Sequence, residues 1–178
     1  MTKLTAQDYI DQLQLLEHPE GGYFKEVYRA EGEIYDESLP EGCEDSRSYS
    51  TSIYFLLKTG QFSAFHKINQ DEGWHFYAGD SLIIHMISPS GEYSYVTVGQ
   101  DIFAAETFQY FVPAGYYFAA ELADKDINPA NQTSGYSLVG CTVAPGFDFA
   151  DFVMPSKAEL MVQFPQHKQI IEKLGFGG

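Results

Sequence analysis

The stretch FSAFHKINQDEGWHFYAGD, residues 62–80, decides how this chain reads. Apolar and polar residues alternate on both sides of its centre, the period of two expected of half-buried β-strands. In the first run Ala64, His66 and Ile68 share a face, while Ser63, Phe65 and Lys67 take the other. In the second, Glu72, Trp74 and Phe76 share a face, with His75 and Tyr77 opposite. If Trp74 and Phe76 point inward, so does Glu72. His66 is then expected to meet Glu72 across the strand pair, inside a small apolar cavity.

The flanking sequence extends this pattern. RSYSTSIYFLLK, SLIIHMIS, EYSYVTVG, TFQYFVPAGYYFAAEL and YSLVGCTVAPGFDFADFVM are short β-rich runs, divided by the turn signals KTGQ, AGD, SPSGE and PAG. Many short strands with Gly/Pro turns indicate an all-β sandwich or barrel. Before them, LTAQDYIDQLQLLEH predicts a helix over 5–17 with Thr5 as N-cap. HPEGG (18–22) ends that helix with a sharp turn, or brings backbone amides near a ligand. The tail predicts helix over 156–174: Ser156 and Glu159 have capping-box spacing, and Pro165 interrupts the run. Leu160, Phe164, Ile170, Ile171 and Leu174 are expected to pack this tail on the barrel. With no internal repeat, the expectation is one domain over 1–178, its barrel spanning about 20–153.

A chain of 178 residues buries roughly 70% of its unfolded surface without structural staples. Its two cysteines, Cys43 and Cys141, lack metal-ligand spacing and read as free thiols in a reducing compartment. The N-terminal residues lack a basic region followed by an apolar run, so no signal peptide is expected and the cytoplasm is the expected location. No stretch is long and apolar enough to span a bilayer as a helix. The NQT at Asn131 matches a glycosylation acceptor, which means nothing without secretion. A net charge of −15 argues against a nucleic-acid partner, which needs a basic stripe to neutralise phosphates. Residues 31–45 hold seven acidic and no basic side chains and read as a solvated loop. ADKDINPANQTSG (123–135) reads as a polar loop.

The motifs carry a resemblance. His66, Glu72 and Gly79 match the spacing of the first cupin motif, and FVPAGYYF, with Pro113 and Gly115, resembles the second. More specifically, HPEGGYFKEVYRA, STSIYFLLK, EGWHFYAGDSL, FVPAGYYFAA and YSLVGCTVAPGFDFADF resemble a small single-domain cupin family of unknown function. That family is structurally similar to the sugar-nucleotide 3,5-epimerases, which work without metal. The resemblance implies a double-stranded β-helix (a cupin or jelly-roll barrel) with terminal helices, and a homodimer. In metal-dependent cupins three histidines and the glutamate hold one divalent ion. Here Ile68 and Phe118 stand at the second and third histidine positions, and Thr107 replaces the glycine that opens the second motif. Two of four ligands remain, so no metal or other cofactor is expected.

The site residues follow from these readings. His66 is expected to act as base, oriented by Glu72, with a tyrosine as acid; Tyr54, Tyr110 and Tyr117 are candidates, and Tyr117 is placed in the catalytic set. Five of the ten basic residues fall between positions 25 and 67. Alternation puts Lys25 and Arg29 on one face and Arg47, Tyr49 and Thr51 on another. If these faces line the barrel mouth, Lys25, Arg29, Arg47 and Thr51 grip an anionic group while Tyr54, Trp74, Tyr110 and Phe118 wall the ligand. The expected ligand is a small molecule such as a nucleotide or sugar nucleotide. The leading expectation is a small-molecule-binding cupin with metal-independent isomerase or epimerase chemistry. A non-catalytic ligand-binding or sensor cupin stands beside it, as does a metal-dependent enzyme with a degenerate ligand set.

Overall fold

Thr5 opens the first helix with a reciprocal capping box: its hydroxyl accepts the Asp8 amide, and the Asp8 carboxylate accepts the Thr5 amide. The computed structural model describes residues 4–39, 45–123 and 134–177. Cys43, residues 40–44 of the acidic stretch, and residues 124–133 with Asn131 lie outside the described residues. Helix α1 (Ala6–Leu13) stops short of the expected boundary because Gln14 turns left-handed, at φ 55°. Leu15 then drops into the core and strand β1 (Leu16–Glu17) begins.

The chain continues as β2 (Tyr23–Arg29), β3 (Glu33–Ile34), β4 (Arg47–Ser48), β5 (Thr51–Lys58), β6 (Phe62–His66) and β7 (Glu72–Gly79). Then come β8 (Leu82–Ile87), β9 (Tyr93–Val98), β10 (Gln109–Val112), β11 (Tyr117–Leu122) and β12 (Tyr136–Val143). One sheet has six strands in the order β1-β2-β5-β12-β7-β10, and a second has four, β6-β11-β8-β9. The ladders within both are antiparallel. Strands β3 and β4 form a separate two-stranded ribbon.

The two sheets enclose the main core, in which Phe55, Trp74, Ile84, Met86, Phe118 and Val139 are packed almost without solvent contact. Two smaller clusters lie outside the sandwich. Against one sheet α1 packs over Leu56, Tyr136 and Leu138. Against the other, α2 (Lys157–Gln163) and α3 (Lys168–Leu174) bury Leu160, Phe164, Ile171 and Leu174 over Phe65, Ile87 and Tyr117. The expected capping box at Ser156 and Glu159 is formed, and Pro165 starts a separate turn between the two helices. No described helix is long and apolar enough to cross a membrane.

Candidate functional site

At one end of the sandwich the sheets separate around a cavity of about 180 Å³. Phe24, Ile53, Phe55, Phe147, Phe149 and Phe152 form its apolar walls. His18, Glu20, His66, Glu72 and Cys141 line its buried end, and Glu26, Arg29 and Asp148 its solvent edge.

The His66 ring is pinned from behind. Its Nδ1–H donates to the Ala64 carbonyl at 2.8 Å, and a carbonyl only accepts, so Nδ1 carries the proton. Phe118 packs against the ring with centroids 4.2 Å apart. The far nitrogen, Nε2, lies 3.2 Å from the Glu20 carboxyl, whose Oε2 also lies 3.5 Å from His18 Nδ1. The other Glu20 oxygen accepts the Ser63 hydroxyl at 2.8 Å. Burial pushes Glu20 above the usual carboxylate range, partly offset by His18 and Ser63. Burial likewise pushes His66 down, against the attraction of Glu72. Both shifts favour the neutral pair, in which the Glu20 carboxylic acid donates to His66 Nε2.

Glu72 stands beside this pair. Burial raises its pKa to about 7; His66 opposes the rise, Glu20 adds to it, and the Cys141 thiol lowers it by donating to the carboxylate. The Cys141 thiol is itself pushed up by burial and by Glu72. Two carboxyl groups and two imidazoles thus share one buried end of the pocket, with one carboxyl poised near neutral pH.

The turn HPEGG places His18 and Glu20. Gly21 has φ +110° and Gly22 φ +73°, conformations open to glycine. A Cβ on Gly21 would collide with the Phe62 carbonyl oxygen, so the turn lies directly on β6. The Glu20 carbonyl accepts the Ala64 amide at 2.8 Å, which locks the turn to the strand carrying His66.

Of the residues expected at the site, His66, Glu72, Arg29 and Thr51 line the cavity. Lys25 does not. A bulge between Glu26 and Tyr28 breaks the alternation of β2, so Phe24, Glu26 and Arg29 face the cavity while Lys25 reaches Gln14 at 2.9 Å outside it. Arg47 is buried elsewhere, in a two-pronged ion pair with Asp151 at 2.8 Å, and Gln70 donates to the same carboxylate. This pair anchors the 3-10 turn Phe149–Asp151, which carries part of the aromatic wall. Tyr117 is corrected as the acid: it faces the opposite side of β11 from Phe118 and packs against Phe164 under the C-terminal helices. Tyr54 sits with α1 and Tyr77 on the outer face. Trp74, Tyr110 and Phe118 belong to the packed core rather than the cavity lining. His75 lies on the outer face, bonded to Thr142. Sequence reasoning missed His18 and Glu20, although a Pro and two Gly around two ionisable residues were visible in HPEGG.

The donor set does not fit a cupin-type metal. Ile68, at one missing histidine position, lines the cavity as hydrocarbon, and Phe118, at the other, packs behind His66. The cluster of His18, Glu20, His66 and Glu72 is knit by its own contacts, and among the described residues no group of three His, Cys, Asp or Glu side chains is arranged to hold a metal ion.

Two facing antiparallel sheets with a pocket at one end, bearing the His66 and Glu72 motif, define a cupin. The chain belongs to the family described as Cupin superfamily (DUF985), which it matches over residues 7–155. It is 32% identical to an uncharacterized protein of Saccharomyces cerevisiae over 153 residues, covering 83% of this chain and 73% of that one. Among solved structures, a Shewanella oneidensis protein shares 41% identity over 99% of this chain and 100% of its own, with a TM-score of 0.84. A hypothetical protein from Leishmania major shares 36% identity over 98% of this chain and 100% of its own, at 0.87. Oxalate decarboxylase of Bacillus subtilis shares the fold at 16% identity, with a TM-score of 0.52 over 91% of this chain and 37% of that one.

Proposed function

We propose that the pocket binds a small carbonyl compound and moves a proton on it without metal, an isomerase or epimerase-like reaction. The observation that carries this reading is the buried cluster of Glu20, His66 and Glu72 at the closed end of an aromatic-walled cavity. Glu72, with a pKa of about 7, is matched to removing a proton next to a carbonyl at neutral pH. Glu20 and His66, which hold one proton between their facing atoms, are matched to returning one. The roles therefore differ from those the strand pattern suggests: Glu72 is the base, and Glu20 takes the orienting place beside His66.

Size and charge narrow the ligand. A cavity near 180 Å³ is of the scale that encloses one ring, since roughly 150 Å³ holds benzene. Among the described residues the lining has one permanent cation, Arg29, against four carboxyl groups. Arg29 is moreover engaged by Glu26 at 2.7 and 3.0 Å and by the Phe147 carbonyl at 3.1 Å. This volume and this charge balance support a single-ring or similarly small carbonyl compound over a nucleotide or sugar nucleotide as the ligand.

The test is proton NMR in D₂O on a panel of cyclic ketones, hydroxyketones and lactones. Wild-type protein is expected to exchange the hydrogens next to the carbonyl of at least one compound, and Glu72→Gln to slow that exchange by roughly 10²-fold or more. Saturable binding of panel members with no exchange refutes the catalytic reading in favour of a ligand-binding or sensor protein.

A further inference from the structure

We infer that His18 is a donor to a ligand oxygen in the pocket, through an Nε2–H that finds no acceptor among the described residues. The inference rests on reading the cavity as a binding site, and it names a contact that the sequence pattern does not suggest.

The tautomer follows from the turn. The backbone N–H of Glu20 donates to His18 Nδ1 at 3.4 Å. A backbone amide cannot accept, so Nδ1 presents its lone pair and the neutral ring carries its proton on Nε2. The second contact of Nδ1, 3.5 Å from Glu20 Oε2, agrees when that oxygen bears the Glu20 proton. That proton then lies between two imidazole lone pairs, His66 Nε2 at 3.2 Å and His18 Nδ1 at 3.5 Å.

This leaves Nε2–H. The recorded polar contacts of His18 all run through Nδ1 or the backbone. The ring lines the cavity, edge-on to Phe24 with centroids 4.5 Å apart and with Phe55, Phe149 and Phe152 at 6.1 to 6.2 Å. The neighbouring donors are engaged within the protein: His66 Nδ1–H with Ala64, the Ser63 hydroxyl with Glu20, and the Cys141 thiol with Glu72. The ring lines the cavity, so its Nε2–H is open to whatever enters there, and a ligand carbonyl oxygen supplies an acceptor in a space walled mainly by hydrocarbon.

The donor also suits the chemistry proposed above. Burial pushes His18 below its ordinary pKa, and the nearby His66 adds to that, while Glu20 opposes it. The ring thus stays a neutral imidazole. A neutral imidazole N–H aimed at a carbonyl oxygen stabilises the negative charge that develops there when a base removes the neighbouring proton, and the proton on Nε2 need not leave.

Two measurements test the inference. Long-range ¹H–¹⁵N correlation spectra of the ligand-free protein, with His18→Phe used to assign the ring among the five histidines, are expected to show His18 protonated on Nε2 and bare on Nδ1 from pH 6 to 8. A ring protonated on Nδ1, or an imidazolium at pH 7, overturns the inference without reference to any ligand. The second measurement compares cyclohexanone with cyclohexane, one ring with and without an acceptor oxygen, by ligand titration. His18→Phe is expected to weaken cyclohexanone about tenfold and cyclohexane by less than about twofold. Equal cyclohexanone affinity, or an equal loss for both probes, overturns the role of His18 and leaves the pocket reading intact. Binding of cyclohexanone without measurable binding of cyclohexane supports the donor, and failure of both probes to bind the wild type overturns that reading together with this one.

Discussion

Replacing Glu72 by glutamine removes a carboxyl group whose ionisation the fold opposes. Its pKa moves from 4.5 in the free side chain to about 7 in the folded protein, chiefly through burial. For a group raised on folding, the stabilisation is fully present below the unfolded pKa and is lost as pH climbs through the folded one. The window therefore runs from about 4.5 to about 7. At ~1.4 kcal/mol per unit, the mismatch between the unfolded and folded pKa of Glu72 costs about 3 kcal/mol of stability at pH 8 and about 1 kcal/mol at pH 5. Glutamine keeps the shape and an acceptor oxygen for the Cys141 thiol but does not titrate. The glutamine variant is thus expected to gain about 2 kcal/mol on wild type between pH 5 and pH 8. Urea denaturation of both proteins across that range measures the gain. Comparing the two is essential because neighbours also titrate. His18 and His66, lowered on folding, add stability as pH rises, whereas Glu20, raised on folding, removes it. The parts of these effects that do not depend on Glu72 cancel in the difference; the part of the His66 shift that Glu72 opposes stays in it and belongs to the same buried cluster. Parallel stability curves, with a gap that changes by less than about 0.5 kcal/mol, would show that Glu72 titrates like a solvated carboxylate. Glu72 would then not be the base poised near neutral pH.

Two other substitutions probe what holds the pocket. Arg47→Met is expected to lose about 3–5 kcal/mol in urea denaturation, because it strands the buried Asp151 carboxylate. Adding Asp151→Leu to it is expected to recover much of that loss, and a double variant no better than the single one would contradict the ion-pair account. Gly21→Ala forces a side chain onto φ +110° and into the Phe62 carbonyl. It is expected to cost at least ~1 kcal/mol of stability by the same measurement and to abolish cyclohexanone binding, since the turn that carries His18 and Glu20 must move.

Local signals in the sequence were reliable where the physics was local. Alternation around residues 62–80 placed His66 and Glu72 in the cavity and His75 on the outer face, although His66 and Glu72 belong to different sheets rather than to one strand pair, and His66 contacts Glu20. The Ser156–Glu159 spacing marked the capped start of α2 and Pro165 its interruption, because caps and prolines act over three or four residues. The same logic failed for Lys25, where one bulged residue in β2 inverts the faces beyond it. Bulges leave little trace in a single strand, since they are defined by the partner.

For the other misplaced residues the question was which part of the interior they entered. Trp74 and Phe118 point inward, yet the sheets close on them there and open only around His66 and Glu72. Tyr117 shows the converse: its face of β11 is buried too, but by helices arriving from the end of the chain. Arg47 found its partner 104 residues away, a pairing that composition cannot reveal.

The sequence by itself determined the strand content, the capped helices, and two inward-facing titratable groups, because each depends on the backbone period of one segment. Only the tertiary structure decided that the pocket's chemistry extends to HPEGG. His18 and Glu20 lie more than forty residues from His66 in sequence. They reach it because two glycines let the turn lie on β6, where burial in a shared apolar space shifts all four ionisable groups together.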